Sequence, residues 1–296
     1  MIIVFGSHNV DLVTEMEQAP QAGQTILGDC FRMEAGGKGA NQALAAARAG
    51  AEVVMAGAVG SDPLAVIALA DLRAAGVDVT RVAEVGEPTG TATIWVERGG
   101  VNRIVVAAGA NSSARAGQID DRTLAGATAL LMQMEVPVAE NAVMIRRAKA
   151  AGVRAILNVA PAIPVASEVL AGCALIVVNE DEAGAVAGWN GCGASARELR
   201  AALGCDVIRT LGSSGAEAAT CEGEWLTPSF TVEAVDTTAA GDCFVGVLAA
   251  GLDGGLGLRQ AMLEASAAAA FACTRKGAQS SLPTRTEIQE MLQRAR

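Results

Sequence analysis

Phe230-Thr-Val-Glu-Ala-Val-Asp236-Thr-Thr-Ala-Ala-Gly-Asp242-Cys-Phe-Val-Gly-Val-Leu-Ala-Ala-Gly-Leu252 is the stretch from which the fold is read. Residues 230–235 alternate and are rich in β-branched side chains, the pattern of a strand. Residues 243–252 are apolar helix formers. The residues from Asp236 to Asp242 therefore sit where a strand turns into a helix. Small side chains at 239 to 241 leave backbone N–H groups uncovered. A helix N-terminus combines unpaired donors with partial positive charge, which favours an anion, phosphate above all. Asp242 would stand at the mouth of that anion site, where a carboxylate can accept a proton from an incoming hydroxyl. The plainer alternative is a carboxylate that only caps its helix.

The 296 residues are 51% hydrophobic and 18% charged, enough for one large domain with or without an appendage. No apolar run reaches the length of a membrane span. Met1-Ile-Ile-Val-Phe-Gly6 has no basic region ahead of its apolar residues and reads as a first strand, not a signal peptide. The seven cysteines include no C-x-x-C pair, which points to reduced thiols and a cytoplasmic setting. A formal charge of −10 speaks against nucleic acid. The single histidine, His8, argues against a His-based metal site or a Ser-His-Asp triad.

Residues 2–5 form an apolar strand followed by Gly6-Ser-His-Asn-Val-Asp11, a polar strand end that either faces a ligand or makes a plain turn. Residues 12–35, which include Thr25-Ile-Leu-Gly28, lack a helical period and read as short strands outside the main sheet. Gly36-Gly-Lys-Gly-Ala-Asn41 precedes a helix. Its glycines let a ligand approach the backbone, Lys38 offers a cation, and Asn41 offers both a donor and an acceptor. The spacing is not that of a Walker A loop. Residues 89–107 read as a β-hairpin that joins the 12–35 region in a small separate sheet. From 118 onward, strands and helices alternate, which predicts a mostly parallel sheet covered on both faces. Polar groups recur at its strand ends: Glu135, Asn179-Glu-Asp-Glu182 and Thr210-Leu-Gly-Ser-Ser-Gly215. Each alone reads as turn or cap chemistry, but in an open α/β sheet these ends share one edge with Asp242.

Taken together, Gly36-Gly-Lys-Gly-Ala-Asn41, Asp236-Thr-Thr-Ala-Ala-Gly-Asp242 and Asn179-x-x-Glu182 resemble the two signatures and the Mg-phosphate motif of the ribokinase-like (phosphofructokinase-B type) sugar kinases. The likeness runs in order from Gly6 to Arg296. It is strongest to the branch that acts on D-ribose, through Gly6-Ser-x-Asn-x-Asp11, Leu131-Met-Gln-Met-Glu135, Asn158-x-Ala-Pro-Ala162 and Thr274-Arg-Lys-Gly-Ala-Gln279. The resemblance implies one domain over residues 1–296, an α/β three-layer sandwich with a mostly parallel central sheet. It also implies a β-sheet lid from residues 12–41 and 85–111 that pairs subunits into a homodimer.

The implied activity is ATP-dependent phosphorylation of D-ribose on its primary 5-hydroxyl. Asp242 would be the base, and the amides of Ala239, Ala240 and Gly241 would form the anion hole. Asn9, Asp11, Gly37, Lys38, Asn41 and Glu135 would hold the sugar. Asn179, Thr210, Gly212, Gly215 and Ser266 would contact ATP, and Glu182 would help place Mg²⁺. A K⁺ activator would sit among Asp236, Thr238, Ala272, Arg275, Gly277 and Ser281. Two alternatives remain: another kinase of the family, acting on deoxyribose or a nucleoside, and a sugar-sensing protein without catalysis. Neither nucleic acid nor a membrane is an expected partner.

Overall fold

The structure, a computed structural model, describes residues 1–99 and 101–294. In chain order the strands are β1 (Ile2–Phe5), β2 (Asn9–Met16), β3 (Cys30–Gly36), β4 (Val53–Gly60), β5 (Asp78–Val85), β6 (Gly90–Glu97), β7 (Asn102–Ala107), β8 (Ala129–Met132), β9 (Arg154–Asn158), β10 (Leu175–Val178), β11 (Asp206–Thr210), β12 (Ala216–Thr220) and β13 (Gly223–Thr227). The helices are α1 (Lys38–Arg48), α2 (Pro63–Ala74), α3 (Asp121–Ala125), α4 (Val138–Ala151), α5 (Ser167–Leu170), α6 (Glu180–Asn190), α7 (Ala196–Leu203), α8 (Ala240–Asp253), α9 (Leu258–Ala272) and α10 (Arg285–Arg294).

The large sheet has the order β13-β12-β11-β10-β9-β8-β1-β4-β5. Its neighbours from β11 through β5 are parallel, and β12 and β13 add an antiparallel edge. Parallel strands buried on both faces read as unbroken apolar runs, and β1, β8 and β10 are fully buried. Alternate side chains enter opposite layers, as the two-residue period requires. Ile2 and Val4 pack with α1, α8 and α9, whereas Ile3 and Phe5 pack with α4, α6 and α7. The order runs outward in both directions from β1, with β8 on one side and β4 on the other. A ligand crevice in such a sheet opens at this switch point, beyond the carboxyl ends of the strands.

The second sheet has the order β3-β2-β6-β7. β2 pairs antiparallel with β3 and parallel with β6, and Asn9 stands opposite both Gly36 and Gly90. This sheet takes up Asn9, three residues earlier than the expected lid segment begins. Lys38 to Asn41 leave it and form the first turn of α1, and Val85 belongs to the large sheet. Thr25-Ile-Leu-Gly28 is not a strand, and a long connection joins β2 to β3.

The expected strand over 230–235 is also absent. Its backbone is not taken into a ladder: Val235 N–H and Asp236 N–H both donate to Cys273 O, at the end of α9 (2.8 and 3.2 Å). The sheet edge is instead β13, one segment earlier. A β-branched alternation describes a residue's fit to a pleated surface and cannot supply the partner strand.

α8 lies against α1 through Gly246. A Cβ there would overlap Gln42 O and come within 2.7 Å of the Ala45 methyl. Gly246→Ala should therefore destabilise the fold by about 1–3 kcal/mol through overpacking, read as a lower urea midpoint. It should also slow turnover, since this contact sets Asn41 and Gln42 on α1 against Asp242 on α8. An unchanged midpoint would show that the two helices separate freely.

Candidate active site

Asp242 lies in the first turn of α8 and is 6% exposed. It does not bond the amides of its own helix; no side chain caps α8. The capping alternative therefore does not describe it. Its carboxylate turns to α1, where Asn41 Nδ2 donates to Oδ2 and Gln42 Nε2 donates to Oδ1, both at 2.9 Å. Gln42 is fixed in turn. Its Nε2 also donates to Asn158 Oδ1 (3.0 Å), and its Oε1 accepts from Gln133 Nε2 (2.7 Å). Asn158 Nδ2 donates to Val177 O at 3.1 Å. Gln42, Gln133 and Asn158 were not foreseen as site residues. Their signal was a polar side chain in or at the end of an otherwise apolar run. With both oxygens held by neutral carboxamides, the carboxylate keeps lone pairs for a further donor.

The loop ahead of α8 is turned by Ala239, the one described non-glycine residue with positive φ (57°, ψ 10°). The left-handed region costs a residue with a Cβ roughly 1–2 kcal/mol, and such strain concentrates at functional sites. The amides differ from the expected set of three. Ala240 N–H closes a turn onto Thr237 O at 3.2 Å. The N–H groups of Ala239, Gly241 and Asp242 meet no protein acceptor among the described residues. Three open donors at a helix start are the arrangement that favours an anion.

On the other side, Asn9 and Asp11 lie on one face of β2. Gly37 turns the chain with φ 91°, and a Cβ there would stand 2.7 Å from Asn9 N; at Gly36 it would stand 2.5 Å from Asp11 Oδ1. Glu135 Oε2 accepts from Ser7 Oγ (2.6 Å) and from Lys38 N–H (3.0 Å), and Gly39 N–H donates to Ser7 Oγ (3.2 Å). Glu135 thus holds the glycine turn in place. The Asp11 side-chain carboxylate receives no hydrogen bond among the described residues. Burial first, and then the charges of Glu135, Glu34 and Asp242, push its carboxyl up to about 7. Lys38 faces the same carboxylates. Asp242 above all, then Glu135 and Glu182, hold its ammonium above the ordinary value against the opposing effect of burial. His8 is fully buried, and burial pushes its imidazole down to about 4, so it stays neutral.

Asn179 and Glu182 form a reciprocal cap on α6, each side chain bonded to the other's backbone N–H at 2.8 Å. Burial raises Glu182, an effect opposed by its bond from Asn179 and by the Lys38 charge. Thr210 ends β11, and Gly212 (φ 53°) and Gly215 (φ 96°) shape the loop that follows it. Ser266 is buried in the middle of α9, and no hydrogen bond joins it to that loop.

Asp236 ties two loops together. Its Oδ1 accepts from Thr238 N–H (2.9 Å) and Oγ1 (2.6 Å), and its Oδ2 accepts from Gly277 N–H (2.9 Å). Burial would raise this carboxyl, but those bonds and Arg32 hold it below the ordinary range. Ala272 ends α9, and Arg275, Gly277 and Ser281 follow it on the second loop. Ala272 O accepts from Arg275 N–H (3.2 Å), and Ser281 Oγ donates to Ala278 O (2.8 Å). One carboxylate among several carbonyls is a hard-oxygen environment. Among the described residues no three His, Cys, Asp or Glu side chains are grouped as metal ligands.

A cavity of about 390 Å³ adjoins Asn9, Asn111 and Glu135. A larger one, about 730 Å³, lies between the 228–232 segment, α9 and α10 and includes none of the residues above. The polar strand-end groups Asn9 and Glu135 border the smaller cavity and not the larger one. Among the described residues no helix is long and apolar enough to cross a membrane.

This arrangement matches known proteins. The model of the pfkB family of carbohydrate kinases covers residues 1–285. A ribokinase of Schizosaccharomyces pombe is 36% identical over 97% of this chain and 96% of its own length. The solved ribokinase of Thermotoga maritima superposes with a TM-score of 0.91 at 32% identity, covering 99% of each chain. The Arabidopsis thaliana ribokinase solved with ribose and ATP gives 0.87 at 28% identity and covers 98% of each chain.

The raised carboxyl of Asp11 makes a pH-dependent prediction. Its value rises from 3.8 to about 7 on folding. Between those values the native chain holds a proton that the unfolded chain has released. This stabilisation is complete below pH 3.8, falls as pH rises, and is lost through pH 7. Asp11→Asn should therefore stabilise the ligand-free protein at pH 8, by at most about 4 kcal/mol. The gain should vanish below about pH 4, while the variant turns over sugar poorly. Thermal melts across pH check this; a shift independent of pH would show that burial does not act on Asp11.

Proposed function

Because the chain belongs to the pfkB family of carbohydrate kinases, we propose that it transfers the γ-phosphoryl group of ATP to the 5-hydroxyl of D-ribose. The observation that carries this reading is the Asp242 carboxylate, aimed by Asn41 and Gln42 beside three open amides at a helix start. In the transfer, the hydroxyl oxygen bonds to the γ-phosphorus, the bond to the ADP oxygen breaks, and the hydroxyl proton passes to Asp242. The protein supplies in-line placement and charge stabilisation, which is most of what phosphoryl transfer needs.

Each group has a place in that scheme. The N–H groups of Ala239, Gly241 and Asp242 would receive the transferred phosphoryl oxygens, and Lys38 would offset their charge. Asn9, Asp11, Gly37, Asn41 and Glu135 would hold the sugar hydroxyls. Asn179, Thr210, Gly212, Gly215 and Ser266 would border the nucleotide. Mg²⁺ carried with the nucleotide would neutralise phosphate charge; Glu182, with one oxygen left by its cap, fits as its partner through water. The loops joined by Asp236 and Gly277 fit K⁺ in their oxygen donors, with Thr238, Ala272, Arg275 and Ser281 contributing. The small sheet would close over the sugar and pair with a second copy, supported by its exposed Phe31, Met33, Ile104 and Val105. A sugar-sensing protein without catalysis would have no use for the aimed carboxylate.

An ADP-release assay with D-ribose, 2-deoxyribose and nucleosides tests the reading. D-ribose should give the highest kcat/KM, and a higher value for a nucleoside or 2-deoxyribose would replace it. Asp242→Asn should lose at least about 100-fold in kcat, the smaller end of general-base contributions, while still binding sugar. A variant retaining a tenth of the activity would remove Asp242 from the role of base.

Turnover should also be higher in K⁺ than in Na⁺, and higher in either than in a bulky organic cation. Equal rates in K⁺ and the organic cation would exclude the Asp236 loop as a cation site.

A further inference from the structure

Asn111 is buried beside Asn9 and takes no part in the scheme above. It sits in the short turn Gly109–Ser113, directly after β7. That turn is anchored by Ala110 N–H donating to Pro88 O at 2.7 Å. The Asn111 carboxamide makes three hydrogen bonds. Its Oδ1 accepts from His8 N–H (2.8 Å), and its Nδ2 donates to His8 O (3.0 Å) and to Asn9 Oδ1 (2.8 Å).

These bonds have a fixed sense. A backbone N–H can only donate and a backbone carbonyl can only accept. His8 therefore sets which end of Asn111 is oxygen and which is nitrogen. The second hydrogen of Nδ2 then requires an acceptor from Asn9, which must present Oδ1. Asn9 Nδ2 is left facing away from Asn111, with no protein acceptor among the described hydrogen bonds. The space for this pair is made by Gly90, opposite Asn9 in the ladder: a Cβ there would overlap both Asn111 Nδ2 and Asn9 Oδ1.

We propose that Asn111 is a positioning residue for sugar specificity: it locks the Asn9 carboxamide so that Asn9 can only donate, and hence can only read an oxygen acceptor. This rests on the proposed role of Asn9 in binding the sugar and assigns it the ribose 2-hydroxyl oxygen. A sugar lacking that oxygen leaves Asn9 Nδ2 buried without a partner, which disfavours it relative to ribose. With Asn111 removed, Asn9 can rotate and the preference weakens.

The experiment is a double-mutant cycle of wild type, Asn9→Ala, Asn111→Ala and the pair, each assayed for kcat/KM on D-ribose and 2-deoxyribose. Asn111→Ala should reduce the ribose to 2-deoxyribose ratio by roughly tenfold, the value of one lost hydrogen bond, chiefly through a higher KM for ribose. The double variant should show the ratio of Asn9→Ala alone, because Asn111 acts through Asn9. Asn111→Asp keeps the size and the acceptor for His8 N–H but sets an oxygen against Asn9 Oδ1. It should also reduce the ratio, and it carries the test if Asn111→Ala does not fold. Multiplying reductions in the double variant, or an unchanged ratio in Asn111→Asp, would overturn the proposal. A wild type inert toward ribose but active on another sugar would instead sink the ribose reading, and the same cycle would then be run on that sugar and its deoxy analogue.

Discussion

The hydrogen bonds from Asn41 and Gln42 to Asp242 join helices whose sequences are about two hundred residues apart. The whole arrangement depends on this contact. Asp242 must sit at a helix start to stand beside open amides, yet it must not spend itself on capping that helix. Donors on α1 settle the conflict by turning the carboxylate outward. They can do so only because α1 and α8 approach closely, through Gly246 and the alanines of α1. The glycine turn, the small-residue packing and the buried amide chain Gln133–Gln42–Asp242 are parts of one constraint.

That constraint concentrates negative charge. Asp11, Glu135, Glu182 and Asp242 all act on Lys38 or on one another. Buried like charges cost stability unless something offsets them. In the ligand-free protein burial, and after it the charges of Glu135, Glu34 and Asp242, favour the protonated form of Asp11. A hydroxyl-rich ligand would provide the missing donors. Such a cluster would trade stability of the fold for binding, a trade-off common at functional sites.

Much of this was legible in the chain because it is local. β1 is an apolar run followed by glycine, α1 begins on a glycine pair, and α8 begins after small residues. The alternation of strand and helix beyond residue 118 led to the parallel sheet, and the polar strand ends led to one edge of it. The failures were equally physical. Residues 230–235 have a strand's composition but no partner, since their backbone donors reach Cys273. The turn that Ala240 N–H closes onto Thr237 O was likewise not legible, because it depends on the left-handed backbone at Ala239. The small sheet takes up Asn9 and leaves out Lys38 to Asn41 because pairing, not side-chain alternation, sets where a strand begins.

By itself the sequence determined the elements, their layering and the chemistry available at each strand end, because periodicity and turn residues act over a few positions. Only the tertiary structure decided which of those groups meet and in what sense. Gln42, Gln133, Asn158 and Asn111 are ordinary amides in the chain. Their meaning lies in partners 91 to 200 residues away, among them Asp242 for Gln42 and Asn9 for Asn111. A carboxamide has a donor end and an acceptor end, and only a fixed neighbour, such as the backbone of His8, decides which end faces the ligand.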